Sequence, residues 1–257
     1  MENILRYNVF DRNVGGMIVF RNGDRNIAYS NIFIRGSGGI RVKEANEILA
    51  FNNYFDGANN PRKYPAIVFD YVNHDKINNV TFAFNTLVNS AVDMGDLINP
   101  SQNSLKLSKN IELINNVFYQ TKTKNSIFYD YTLNLKYGLS EVISFDGNVF
   151  DATDSFLQSD SSMFLKKRNK LQSGVLKQQI NGFYALSSNL IATYNITNDQ
   201  MKSSGFGDYF GLIMDIDGRT SSSQRNVGCQ QYSNSMDGSF AYLNLQRGPS
   251  YLVNPVV

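Results

Sequence analysis

The chain has 257 residues, a formal net charge of +2, one cysteine and one histidine. Near-neutral charge gives no case for a nucleic-acid partner. The lone Cys229 excludes an internal disulfide or a cysteine-held metal cluster, and the lone His74 argues against a Ser/His/Asp triad or a multi-histidine metal site.

From the N-terminus onward, one phrase recurs: alternating apolar residues, then Asn, then Phe or Leu. It reads ILRYNVF (Ile4 to Phe10), IAYSNIF (Ile27 to Phe33), ILAFNNYF (Ile48 to Phe55) and VTFAFNTL (Val80 to Leu87). It returns as IELINNVF (Ile111 to Phe118) and VISFDGNVF (Val142 to Phe150). The shared asparagines are Asn8, Asn31, Asn53, Asn85, Asn116 and Asn148, spaced as the coils of a solenoid are. A second short strand is predicted between phrases at Met17 to Arg21, Gly39 to Lys43, Ala66 to Asp70 and Ser126 to Asp130.

Asparagine suits such corners because it tolerates the left-handed backbone region, and because side-chain amides stacked in register bond to one another. A β-sandwich also has short strands, but it does not call for the same Asn at the same place each time. The reading is an all-β chain folded as a right-handed parallel β-helix of pectin-lyase type, lacking its N-terminal rungs. Residues 1–150 form its rungs; residues 151–257 continue it, with a lateral loop and a C-terminal cap. The basic run LKKRNK is expected on that loop as a solvated face. An open N-terminal edge would favour self-association.

Alternation in MIVFRNG sends Ile18 and Phe20 to one face and Val19 and Arg21 to the other; in GGIRVK it separates Ile40 and Val42 from Arg41 and Lys43. With the apolar pairs inside, Arg21 and Arg41 stand outward on adjacent rungs, with Asn22, Arg25, Arg35, Arg62 and Lys63 near in sequence. Such a strip suits a polymer with a carboxylate on each sugar, because guanidinium binds carboxylate in a fork.

VFRNGDRN, then NIFIRGSGGIRV, then FNNYFDG resembles the signature of polysaccharide lyase family 6, the chondroitinase B and alginate lyase family. Near the end, DIDGRTSSSQRNVGCQQYS (Asp215 to Ser233) is similar to that family's closing phrase. The resemblance implies β-elimination: removal of the C5 proton of a uronic acid and expulsion of the sugar at O4. It implies a secreted or periplasmic bacterial enzyme that uses calcium to neutralise the carboxylate and a lysine as base. Arg21 matches the family's catalytic arginine and Arg41 its substrate-gripping arginine, with Asn22, Lys43 and Arg25 as further substrate contacts. Because guanidinium holds its proton so tightly, electrostatic stabilisation is the physical role for Arg21. Asn22 stands where the family usually has His, and the family's lysine and calcium ligands fall at or before Met1, so the expectation is an incomplete active site.

Two other readings use the same fold. A β-helix hydrolase of polygalacturonase type needs converging carboxylates, for which Asp70, Asp93 and Asp96 are available. A non-catalytic carbohydrate-binding solenoid needs only the outward charged face.

Overall fold

The computed structural model describes residues 3–15, 17–57, 59–60, 64–70, 77–94, 108–121, 127–129, 142–151, 168–179, 182–192, 216 and 226–229. Arg62, Lys63, His74 and Asp96, named above, lie outside them.

Each coil visits three sheets in turn. The first sheet stacks Asn3–Arg6, Asp24–Tyr29, Asn46–Phe51, Asn78–Ala83, Lys109–Ile114 and Ile143–Asp146. The second stacks Val9–Asp11, Ile32–Ile34, Tyr54–Asp56, Thr86–Val88, Val117–Tyr119, Val149–Asp151 and Lys170–Leu171. The third stacks Ile18–Arg21, Ile40–Lys43, Ile67–Asp70, Val92–Asp93 and Phe128–Tyr129. Every pairing within these three sheets is parallel, and each strand pairs with its counterpart one coil later, so the chain is a parallel β-helix.

The recurring phrase is the passage from first sheet to second, and it never varies in length. Two residues join the strands: a left-handed one, then the Asn. The left-handed positions are Tyr7, Ser30, Asn52, Phe84, Asn115, Gly147 and Arg168. The ladder asparagines themselves are not left-handed, contrary to the expectation that Asn is there for its backbone tolerance. Their side chains are the reason instead. Asn85 accepts at Oδ1 from the backbone N (2.9 Å) and Nδ2 (3.0 Å) of Asn53. It donates from Nδ2 to Ala50 O (3.0 Å) and to Asn116 Oδ1 (3.0 Å). Every hydrogen-bonding position of a wholly buried amide is thus filled.

The same pattern links Asn8, Asn31, Asn53, Asn85, Asn116 and Asn148, and runs on to Asn169. That last step corrects the placing of LKKRNK on a loop, while Arg168 and Lys170 are exposed as a solvated face requires. Arg168 supplies the left-handed residue and grips Asp146 with two nitrogens, Asn169 is buried in the ladder, and Lys170 pairs with Val149. Three residues of the run form a seventh corner.

The core lies between the sheets. The final Phe or Leu of each phrase stacks along the axis, with Phe10 on Phe33 (4.8 Å between centroids), Phe33 on Phe55 (4.7 Å) and Phe118 on Phe150 (4.9 Å). Ile18, Phe20, Ile40, Val42, Ile67 and Phe69 meet them from the third sheet.

The outer faces differ. Outside the second sheet, Ile32, Tyr54, Val88 and Val117 make a further apolar cluster with Val175, Leu176, Leu186, Val227 and Cys229. The described parts of the C-terminal third therefore lie along this flank. Cys229, which is buried, donates its backbone N to Thr86 Oγ1 at 3.0 Å. The antiparallel hairpin of Leu176–Gln178 and Tyr184–Leu186 is tied down by Tyr54, whose hydroxyl accepts from Tyr184 N at 3.1 Å, and by Asp151, which accepts from Val175 N at 2.9 Å.

Candidate functional site

The third sheet carries charge on its outer face. Ile18, Phe20, Ile40 and Val42 are buried, so strand alternation turns Val19, Arg21, Arg41 and Lys43 outward, as their spacing predicts. Glycine sets the entry to this sheet. Gly38 has φ +99°, and a Cβ there would collide with the Gly15 carbonyl; one on Gly39 would meet the Ala66 carbonyl and the Phe55 ring. SGGIR therefore needs its glycines so that neighbouring coils can approach just before Arg41.

The register bears out the place of Arg21 and Arg41 on adjacent rungs and sets how they stand. Arg21 pairs with Lys43, and Lys43 with Asp70; Arg41 pairs with Val19 on one side and Val68 on the other. Arg21 and Arg41 share a face of one sheet but sit diagonally, two positions out of line, because Arg41 is the second residue of its strand and Arg21 the last of its own.

Asp70 organises the group. Its carboxylate Oδ2 accepts from Arg41 Nη2 and lies 3.6 Å from Lys43 Nζ. The side chains are 41% exposed for Arg41, 15% for Lys43 and 8% for Asp70, so the acid lies beneath the cations. Arg41 Nε is buried and makes no hydrogen bond, which leaves a guanidinium donor unfilled. Arg21 is exposed at the end of its strand. Asn22 follows it in the left-handed region, with φ 47°, and donates its backbone N to Lys43 O at 3.2 Å. Arg25 lies around the next corner, exposed on the first sheet, with φ 57°. Arg35 is on the second-sheet flank, in a forked pair with Asp11.

Sequence reasoning treated Asp70 only as a possible hydrolase carboxylate. Its partners are 27 and 29 positions away, and nothing short of the coil register brings them together. Asp93 faces outward from the next strand, opposite Val68. With Asp70 engaged by Arg41 and Lys43, the two acids do not form the open pair that glycoside hydrolysis requires.

The calcium implied by the resemblance does not fit the residues described. Among them, no three His, Cys, Asp or Glu side chains come together as a metal site, and the nearly buried acid of the charged face is committed to two cations. No step is routed through such an ion.

The second flank holds a different acid. Asp56 is raised from 3.8 to about 6 by burial, an effect opposed by the Tyr54 hydroxyl that donates to it at 3.4 Å. Tyr54 itself is pushed well above the ordinary tyrosine value, first by burial and then by Asp56.

The fold defines the class: a parallel β-helix whose third sheet is charged on its outer face. A solved structure of similar fold is that of a mutant of AlyGC, a PL6 family alginate lyase, at 20% identity and a TM-score of 0.51, covering 73% of this chain and 25% of that one. The chain spans about a quarter of that protein's length, and at this identity the likeness is one of fold. No protein-family profile matches the sequence, and no curated protein matches it.

Proposed function

We propose that this chain is a polysaccharide-lyase-like β-helix of the family 6 type, whose third-sheet face engages the carboxylates of a uronic-acid polysaccharide. Alginate is the first substrate class and dermatan or chondroitin sulfate the second. The observation that carries the reading is the outward cluster of Arg21, Arg41 and Lys43 on neighbouring coils, with the Arg41 side chain 41% exposed above the acid that holds it.

The chemistry this face serves is β-elimination. Loss of the C5 proton moves negative charge onto the adjacent carboxylate, so cations fixed beside it lower the barrier. Arg41 binds and orients that carboxylate. Arg21, one coil earlier, stabilises the charge that develops there and on the departing O4. No proton-abstracting base is assigned among the described residues. The resemblance to family 6 supports a periplasmic or secreted bacterial location. Among the described residues no helix is long and apolar enough to cross a membrane.

The test is calorimetric binding of oligouronates from alginate, with neutral oligosaccharides of equal length as control, and unsaturated-uronate absorbance measured in parallel. Binding of oligouronates alone, weakened at least tenfold or so in Arg41→Ala, is the expected result. Equal binding of neutral and charged sugars would end the reading.

A further inference from the structure

We propose that Asp70 is a positioning residue for the cationic face, holding Arg41 and Lys43 in the one arrangement that presents the exposed part of the Arg41 guanidinium to an incoming carboxylate. The inference rests on the reading of that face as a uronate site and deepens it.

Three observations carry it. Asp70 continues the row of Arg21 and Lys43 on the following coil and reaches diagonally to Arg41, so one carboxylate bridges both outward positions of strand Ile40–Lys43. It is far less exposed than Arg41, so a polymer arriving from solvent meets the guanidinium first and the acid stays beneath it. Asp70 engages Arg41 at Nη2 and Nε is buried, so the guanidinium is held at its base while the rest of the side chain stays open to solvent.

The physical consequence is preorganisation. Arg41 and Lys43 are like charges two residues apart on one strand, and both side chains are rich in rotamers. A buried anion between them offsets their repulsion and fixes the fork before ligand arrives, so less freedom is lost on binding. Asp70 holds two cations with one charge, so the pair keeps a positive charge, and the exposed part of Arg41 is left for a ligand oxygen.

Simple charge counting predicts the opposite outcome, because removing an acid from a cationic face strengthens attraction for a polyanion. The experiment uses the full chain, ¹⁵N-labelled, with mannuronate and guluronate oligosaccharides as probes. In Asp70→Asn, oligouronate binding is expected to weaken about tenfold. The Arg41 Nε–H resonance is expected to broaden and exchange faster with water even without ligand. Arg41→Ala with Asp70→Asn should bind no worse than Arg41→Ala alone, as required of a residue that acts through another. Asp70→Glu, which keeps the charge but moves it, serves if Asp70→Asn does not fold; it should bind less tightly than the native chain with an unchanged melting profile. Unchanged or tighter binding by these variants, from a native chain that binds oligouronates, overturns the role of Asp70 alone. Failure of the native chain to bind overturns the site itself.

Discussion

The outer faces of the second and third sheets are built on one scaffold and put to opposite uses. The second-sheet flank carries an apolar cluster covered by the C-terminal hairpin, and it is bounded by a ladder in which each coil repeats the last. The third-sheet flank is charged, and no two of its described coils carry the same outward residues: Val19 and Arg21, then Arg41 and Lys43, then Val68 and Asp70. Repetition marks the part that holds the coils together, and departure from it marks the part that can recognise something.

Five substitutions test that contrast. The largest effect belongs to the ladder. Asn85→Ala removes four side-chain hydrogen bonds and strands the buried donors of Asn53; a loss of about 4 kcal/mol is expected in urea denaturation. The same change at exposed Asn8, where the side-chain oxygen accepts nothing, should cost under about 1 kcal/mol. Next comes Gly39→Ala, where the new methyl meets a backbone carbonyl and a ring; about 2–3 kcal/mol is expected in the same assay, with weakened oligouronate binding because the strand of Arg41 begins there.

Third is a pH effect on the covered flank. The Asp56 carboxyl is raised from 3.8 to about 6 in the folded chain, so the folded state binds the proton more tightly than the unfolded state. Its contribution to stability is therefore complete below about pH 4 and is lost as pH rises through about 6. Asp56→Asn should equal the native chain at pH 4 and exceed it at pH 8, by an amount on the order of 1 kcal/mol after allowing for partial exposure, read from melts at both pH values. The smallest change in stability is expected for exposed Arg21→Ala, within about 0.5 kcal/mol, yet oligouronate binding should fall several-fold. A large loss of stability there would dissolve the contrast.

The same contrast explains what could be read from the sequence. The corner asparagines, the inward Phe and Leu positions and the alternation around Arg21 and Arg41 were legible because neighbouring coils repeat them. Asn169 was not, since charged side chains precede it where earlier phrases have alternating apolar ones. The strand Val92–Asp93 is too short to show a period. The packing of Val227 and Cys229 against the second sheet joins residues as much as 143 positions apart, and no local pattern encodes it. At the charged face, sequence gave which side chains point outward, but the pairing of Arg21 with Lys43 and the role of Asp70 depend on register.

One feature of the corner reaches further. Successive ladder asparagines are 21 to 32 residues apart in sequence, yet every one bonds to the next across a single coil. Extra residues in the longer coils are taken up elsewhere in the circuit, while the two-residue join resets the rise each time. Loops beside the charged face can lengthen, shorten or diverge without altering the spacing of Arg21, Lys43 and Asp70 along the axis. A lineage could thus exchange the loops around this face while the intervals between its charges stayed constant.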